Sequence, residues 1–273
     1  MPPAILGAAG AAAAGGLAWS LWEAQWVELR ERDVRLPGLP PELDGFRLLH
    51  LSDFHLGTLS LNGRSLEQAT EWAGEREVDL VAITGDLVSR PRGRAALERA
   101  LARLRARWGV FAVLGNHDVA ATRDPFSRPA ELGRLDGASA RLLEHEAAEL
   151  EVNGRLVQIA GADPRRRGLG LATLADRDAD LRILLTHFPD DADRVPPDAF
   201  HLVLAGHLHG GQICVPAPGG KLRLSHLRAA YWEGLFERPG GALHVSRGLG
   251  TTFVPFRLLA RPEATILTLR TRE

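Results

Sequence analysis

The chain has 273 residues, 45% of them hydrophobic and 25% charged, an ordinary globular balance with enough material for a sizeable core. A formal net charge of -1 leaves no basic field of the kind that binds nucleic acid, so no nucleic-acid partner is expected. The single cysteine, Cys214, excludes an internal disulfide and says nothing about compartment.

Ala4 to Trp22 is a run of 19 residues without a charge, eight of them Ala and four Gly. As a helix it measures roughly 28 Å, near the hydrocarbon thickness of a bilayer. Trp19, Trp22 and Trp26 follow at helical spacing near its end, where an interfacial belt sits. The expectation is an uncleaved N-terminal membrane anchor, with residues 1–35 as anchor and connecting segment. Arg30, Arg32 and Arg35 follow the run and no basic residue precedes it, which favours the cytoplasmic side for the domain that follows. Leu36 to Gly45 is Pro/Gly-rich and reads as a linker.

Phe46 to Ser52 is a short apolar run, predicted as a buried strand ending at Asp53. A helical pattern over 63–77 leads to a second strand, Asp79 to Thr84, ending at Gly85-Asp86. Residues 94–107 carry Leu97, Leu101 and Leu104 on one helical face. Gly109 to Leu114 is a third strand, ending at Gly115-Asn116-His117-Asp118. Residues 120–138 read as a surface excursion, and Asn153-Gly154 as the turn of a hairpin. Leu181 to His187 and His201 to His207 are apolar strands that end in histidine. From Tyr231 the chain is β-rich, with a hairpin about Pro239-Gly240-Gly241 and a closing strand over Ala264 to Arg270. The pattern is α/β: two packed sheets with helices outside, in one domain over 36–273.

Each strand deposits polar residues at its carboxyl end, where open α/β sheets place ligands and active sites. In order these are Asp53-Phe54-His55, Gly85-Asp86, Gly115-Asn116-His117-Asp118, Thr186-His187 and Gly206-His207-Leu208-His209, and they hold five of the ten histidines. Two divalent metals about 3.5 to 4 Å apart need a bridging carboxylate and mixed nitrogen and oxygen ligands on each side. Imidazole and carboxylate suit Zn, Mn and Fe, and the absence of thiolates excludes a Cys-rich structural zinc site. The remaining histidines, His50, His145, His201, His226 and His244, lie in no motif and read as ordinary. Arg165-Arg166-Arg167 reads as a solvated charge run, with a substrate diphosphate as the other possibility.

The series D-x-H, G-D, G-N-H-D, H, G-H-x-H resembles that of the calcineurin-like metallophosphoesterases. LPGLPPELDGFRLLHLSDFHLG, GHLHGGQICVP and the tail VSRGLGTTFVPFRLLARPEATILTL are similar to its YkuE- and YaeI-like, membrane-associated bacterial branch, which is related to UDP-2,3-diacylglucosamine hydrolases. The resemblance covers roughly 36–270 and implies a four-layer αββα sandwich, here preceded by the N-terminal hydrophobic helix. It implies that Asp53, His55 and His209 hold one metal, Asp86 bridges, and Asn116, His187 and His207 hold the other. His117 would stand beside the substrate and protonate the leaving oxygen, with Asp118 orienting it. The activity implied is a two-metal phosphoester hydrolase on a lipid-linked substrate such as UDP-2,3-diacylglucosamine, with Mn, Zn or Fe as cofactor. A broad phosphodiesterase or phosphatase acting on nucleotides or cell-wall polymers, and a non-catalytic metal-binding scaffold, stay open as alternatives.

Overall fold

The computed structural model describes residues 3–58, 60–122, 124–125, 127–128, 132 and 140–272. In chain order the elements are α1 (Pro3–Glu23), β1 (Glu28–Pro37), β2 (Arg47–Leu51), α2 (Asn62–Gly74), β3 (Leu80–Thr84), α3 (Arg94–Arg103), β4 (Val110–Val113) and β5 (Ala140–Leu142). There follow β6 (Glu146–Val152), β7 (Arg155–Gly161), β8 (Leu181–Leu185), β9 (Leu202–Ala205), β10 (Cys214–Ala217), β11 (Gly220–Arg223), β12 (Gly234–Arg238), β13 (Gly241–Val245) and β14 (Glu263–Arg272). Two six-stranded sheets carry the fold, in the orders β1-β14-β2-β3-β4-β5 and β12-β13-β9-β8-β7-β6. The central neighbours β2, β3 and β4 run parallel, as do β7, β8, β9 and β13. Within each sheet the carboxyl ends of these strands therefore open at one edge.

The sheets meet through a core that includes Leu48, Leu80, Ala82, Val113, Val157, Ile159, Ile183 and Leu204. These strands are apolar on both faces because both faces are covered. On the outer face of the first sheet, Leu66 and Ala69 of α2 and Leu97 and Leu101 of α3 pack on Leu49, Leu51, Val81 and Ile83. The outer face of the second sheet corrects the four-layer expectation. Among the described residues no α-helix covers it; short 3-10 turns at Leu171–Leu174 and Pro189–Arg194 do, with Val195, Ala199 and Phe200. Pro189, Pro196 and Pro197 deny this stretch the backbone donors and dihedrals of a continuous helix. The fold is thus a mixed α/β sandwich with α-helices on one face. The excursion expected over 120–138 lies largely outside the described residues.

The N-terminal segment corrects a second expectation. The helix α1 forms, but no helix among the described residues is long and apolar enough to cross a membrane. Eight alanines and four glycines make the run uncharged without making it hydrophobic enough. The run is thus no membrane-spanning anchor, and the localisation expected from one does not follow. The last turn of α1 is instead tied to the domain. Buried Glu23 accepts the Ala260 amide at 3.0 Å, and the Ser20 carbonyl accepts the Arg257 amide at 3.0 Å. The strand β1, expected to be part of a connecting segment, pairs with β14 from Glu28–Glu263 to Pro37–Arg272 and buries Val34 and Leu36.

Candidate metal centre

The strand ends converge as the spacing predicts. Asp53 and His55 follow β2, Asp86 follows β3, Asn116 and His117 follow β4, His187 follows β8, and His207 and His209 follow β9. Five of these residues, Asp53, His55, Asp86, His207 and His209, have positive φ between 45° and 75°. That backbone is uncommon outside glycine, although Asp and His enter it more readily than most, and it persists where the surroundings dictate it. Glycine is required where the turns pack on the ligands: a Cβ on Gly206 would stand 2.0 Å from Ser52 Oγ and 2.3 Å from Asp53 Oδ2, and one on Gly115 2.1 Å from Asp86 Oδ1.

Three groupings of side chains can hold a metal ion: Asp53 with His55 and His209, Asp86 with His187 and His207, and His55 with Asp86 and His117. In the first, His55 Nε2 lies 3.1 Å from His209 Nε2, and His209 Nε2 lies 3.5 Å from Asp53 Oδ1. In the second, His187 Nε2 lies 3.2 Å from Asp86 Oδ2, 3.0 Å from Asn116 Oδ1 and 3.2 Å from His207 Nδ1. Asp86 Oδ2 is common ground, 3.5 Å from His55 Nε2 and 4.0 Å from His117 Nε2. Asp53, His55, Asp86, His187 and His209 are buried, and His207 is partly exposed beside them.

The hydrogen bonds behind the cluster show that it fits a cation. His187 Nδ1 lies 2.8 Å from the Thr84 carbonyl, which only accepts, so Nδ1 donates and neutral His187 turns a bare Nε2 lone pair inward. That lone pair faces the Asp86 carboxylate and, as assigned, the amide oxygen of Asn116. Acceptors converging on one point need a proton or a metal between them. The ring's titration carries the same signal. Burial alone would depress His187, but the charges of Asp86 and Asp53 outweigh it and push the ring up to about 9. Burial would raise Asp86, yet His187, His55 and His117 hold it well below the usual carboxylate range. Asp53 is pushed up to about 6 by burial, His187 opposing and Asp86 adding to the rise.

Asp118 accepts the amides of Leu87, Val88 and Gly115 at 2.8 to 3.2 Å, binding the Asp86 loop to the Gly115 loop. Burial, then the charge of Asp86, pushes it up to about 7. It accepts from these backbone amides, and the His117 ring meets Ser127 and Thr122 instead. Two supporting residues lie in none of the motifs: Ser89, whose Oγ is 2.8 Å from His55 Nδ1, and buried Arg257, which donates to carbonyls of residues 209, 247, 248, 250 and 260 around His209. Serine after G-D-L-V was the one available hint; Arg257 lies 48 positions from the residue it braces. Of the histidines read as ordinary, His226 lines the cavity, its ring 5.7 Å from that of His207. Arg167 stacks on Phe188 at 3.8 Å, and Phe188 in turn packs on His187 and His207.

The centre opens into a cavity of about 550 Å³. Its floor is polar, with Asp86, Asn116, His117, His207 and His209, and its walls include Leu208, Ile213, Leu224, Phe253 and Val254. Leu224 and Phe253 are more than half exposed at its rim.

Residues 46–211 match the family model of the calcineurin-like phosphoesterases. The chain is 31% identical to the metallophosphoesterase YkuE of Bacillus subtilis over 96% of this chain and 93% of that one. It is 27% identical to the phosphodiesterase YaeI of Escherichia coli over 90% of each. Among solved structures it is similar to a phosphopantetheinyl hydrolase of Mycobacterium tuberculosis, at 16% identity and a TM-score of 0.39, covering 74% of this chain and 89% of that one.

Proposed function

The chain belongs to the calcineurin-like phosphoesterase family, a metal-dependent phosphoesterase by that membership, and we propose that it is a two-metal phosphodiesterase whose substrate carries an apolar group. The family uses divalent metal ions, and the His/Asp clusters can hold a pair. In the proposed assignment Asp53, His55 and His209 hold one ion, Asp86 bridges, and Asn116, His187 and His207 hold the other. Bound there, the metals supply a water of lowered pKa and neutralise charge on the phosphate.

The chain's own residues do the rest. The Thr84 carbonyl beside His187 aims that ring's inner nitrogen before anything binds, and Arg257 and the Gly250 carbonyl hold the His209 ring in place. Asp118 keeps the Asp86 and Asn116 loops in register. His117, 4.0 Å from Asp86 Oδ2 at the cavity floor, protonates the departing oxygen through Nε2.

The observation that carries the reading is the convergence of acceptors on Asp86 beneath an open cavity. The apolar rim of Leu224, Phe253 and Val254 supports a substrate with a lipid-linked group, UDP-2,3-diacylglucosamine being the first to try. The name of the Escherichia coli relative supports a diester. The test uses the full chain, stripped of metal and then given Mn²⁺, on bis-p-nitrophenyl phosphate and UDP-2,3-diacylglucosamine in parallel. Metal-dependent release of UMP is expected. Turnover of the simple diester alone would keep the two-metal reading and overturn the lipid-linked substrate, pointing to nucleotides or cell-wall polymers. No turnover with two metals bound would favour a binding scaffold.

A further inference from the structure

His117 is held from behind by a hydrogen-bond chain that no motif announces. Its Nδ1 lies 2.7 Å from Ser127 Oγ, and Ser127 Oγ donates to Asp124 Oδ2 at 3.0 Å. Thr252 Oγ1 donates to the same carboxylate oxygen at 3.1 Å. His117, Ser127 and Asp124 are all at least nine-tenths buried. An ionised carboxylate only accepts, so the direction of the chain is fixed. Ser127 gives its one O–H to Asp124 and is left with lone pairs, which accept the Nδ1 proton. The tautomer with hydrogen on Nδ1 is thereby selected, and Nε2 is turned toward Asp86 and the cavity, with Thr122 Oγ1 at 3.2 Å.

We propose that Ser127 and Asp124 are positioning residues for His117, fixing the ring's orientation and holding a proton on Nδ1, so that Nε2 is the nitrogen that takes up and delivers the reaction's proton to the leaving oxygen. The proposal rests on His117 as the group that protonates that oxygen. In the step concerned, the attacking water's oxygen bonds to phosphorus as the bond from phosphorus to the leaving oxygen breaks. His117 enters this step as the imidazolium, with a proton on each nitrogen; the leaving oxygen keeps the electron pair of the broken bond and takes the Nε2 proton, and the proton given up by the attacking water returns to Nε2. Nδ1 keeps its proton throughout, shared with Ser127. Because the chain is buried, its orientation does not depend on solvent. The role resembles that of the third member of a hydrolase triad, here with a serine placed between carboxylate and imidazole.

The experiment compares Ser127→Ala and Asp124→Asn with the unmodified full chain, loaded with Mn²⁺, on methyl aryl phosphodiesters whose leaving groups run from 4-nitrophenol to unsubstituted phenol. A poor leaving group needs its proton more, so the loss should grow along the series. Ser127→Ala is expected to lower kcat about 10-fold on the nitrophenyl ester and about 100-fold on the phenyl ester, with KM and bound metal unchanged. Asp124→Asn should show the same slope with smaller losses, and it carries the test if Ser127→Ala does not fold. In a His117→Ala background, Ser127→Ala should change kcat by less than about 2-fold. A loss equal across the series, or one that multiplies with His117→Ala, overturns the proposal while the phosphodiesterase reading stands. Absence of metal-dependent turnover by the unmodified chain overturns both.

Discussion

Two buried histidine pairs lie close together in this protein and are built for different ends. His50 and His244 approach to 2.8 Å between Nδ1 atoms, and His55 and His209 to 3.1 Å between Nε2 atoms. Both pairs are buried. In the first, each contact can be satisfied by a proton from one of its two partners. Thr84 Oγ1 donates to Ser52 Oγ at 2.7 Å, so His50 Nε2–H donates to Thr84 Oγ1, and His50 Nδ1 is free to accept from His244. The second pair has two carboxylates near its inner nitrogens, Asp53 and Asp86, within 3.5 Å. A close pair of buried imidazoles is therefore not a metal site by itself. The carboxylates beside the inner nitrogens are what let it hold a cation, while Ser89 Oγ stands at the outer nitrogen of His55 and the Gly250 carbonyl and Arg257 guanidinium at that of His209.

The largest expected effect breaks the second pair's centre. Asp86→Asn removes the charge that two of the three groupings share while keeping its shape. It should lower turnover by about 10³-fold or more and reduce bound metal from two ions per chain, read by elemental analysis alongside kcat. His117→Ala should cost about 10²- to 10³-fold in kcat and leave the metal content intact, which separates proton delivery from ligation.

The third prediction concerns the first pair and leaves the centre alone. Burial holds His244 down to about 4, with Glu263 opposing weakly, and burial and then His244 hold His50 well below 6.5. Both rings fold neutral, whereas the unfolded chain takes up protons below about 6.5. Their contribution to stability is therefore complete above 6.5 and is lost as pH falls from 6.5 toward about 4. For His244 alone that amounts to up to about 3 kcal/mol. Replacing both rings together, His50→Leu with His244→Leu, should be close to neutral at pH 7 and should flatten the acid limb, as measured by urea denaturation at pH 7 and pH 5. An unchanged acid limb would assign that loss to other groups.

How much of this was legible beforehand follows from how local each signal is. The strands before the centre are short apolar runs that stop at Asp53, Asp86, Asn116, His187 and His207, and a run followed by glycine and a polar ligand type can be read without knowing its neighbours. The strand β1 was missed because an edge strand with Val34 and Leu36 inward and charges between them reads as a linker. The helix α1 was read as an anchor from its lack of charge, when alanine and glycine make a segment uncharged but only weakly apolar. Asp124 and Ser127 gave no signal, since a serine and an aspartate in an irregular stretch matter only once folding sets them behind His117. The smallest expected effect belongs to the cavity rim, which composition could not reveal: Phe253→Ala should raise KM for diesters with an apolar ester group about 3- to 10-fold and leave kcat on bis-p-nitrophenyl phosphate nearly unchanged.

The most direct test of the two-metal centre is a titration of the stripped full chain with Mn²⁺, following bound metal and hydrolysis of bis-p-nitrophenyl phosphate together. The account predicts that activity rises with the second equivalent and saturates at two ions per chain, and that Asp86→Asn abolishes the rise. Full turnover by the stripped chain, or saturation at one equivalent, would contradict it.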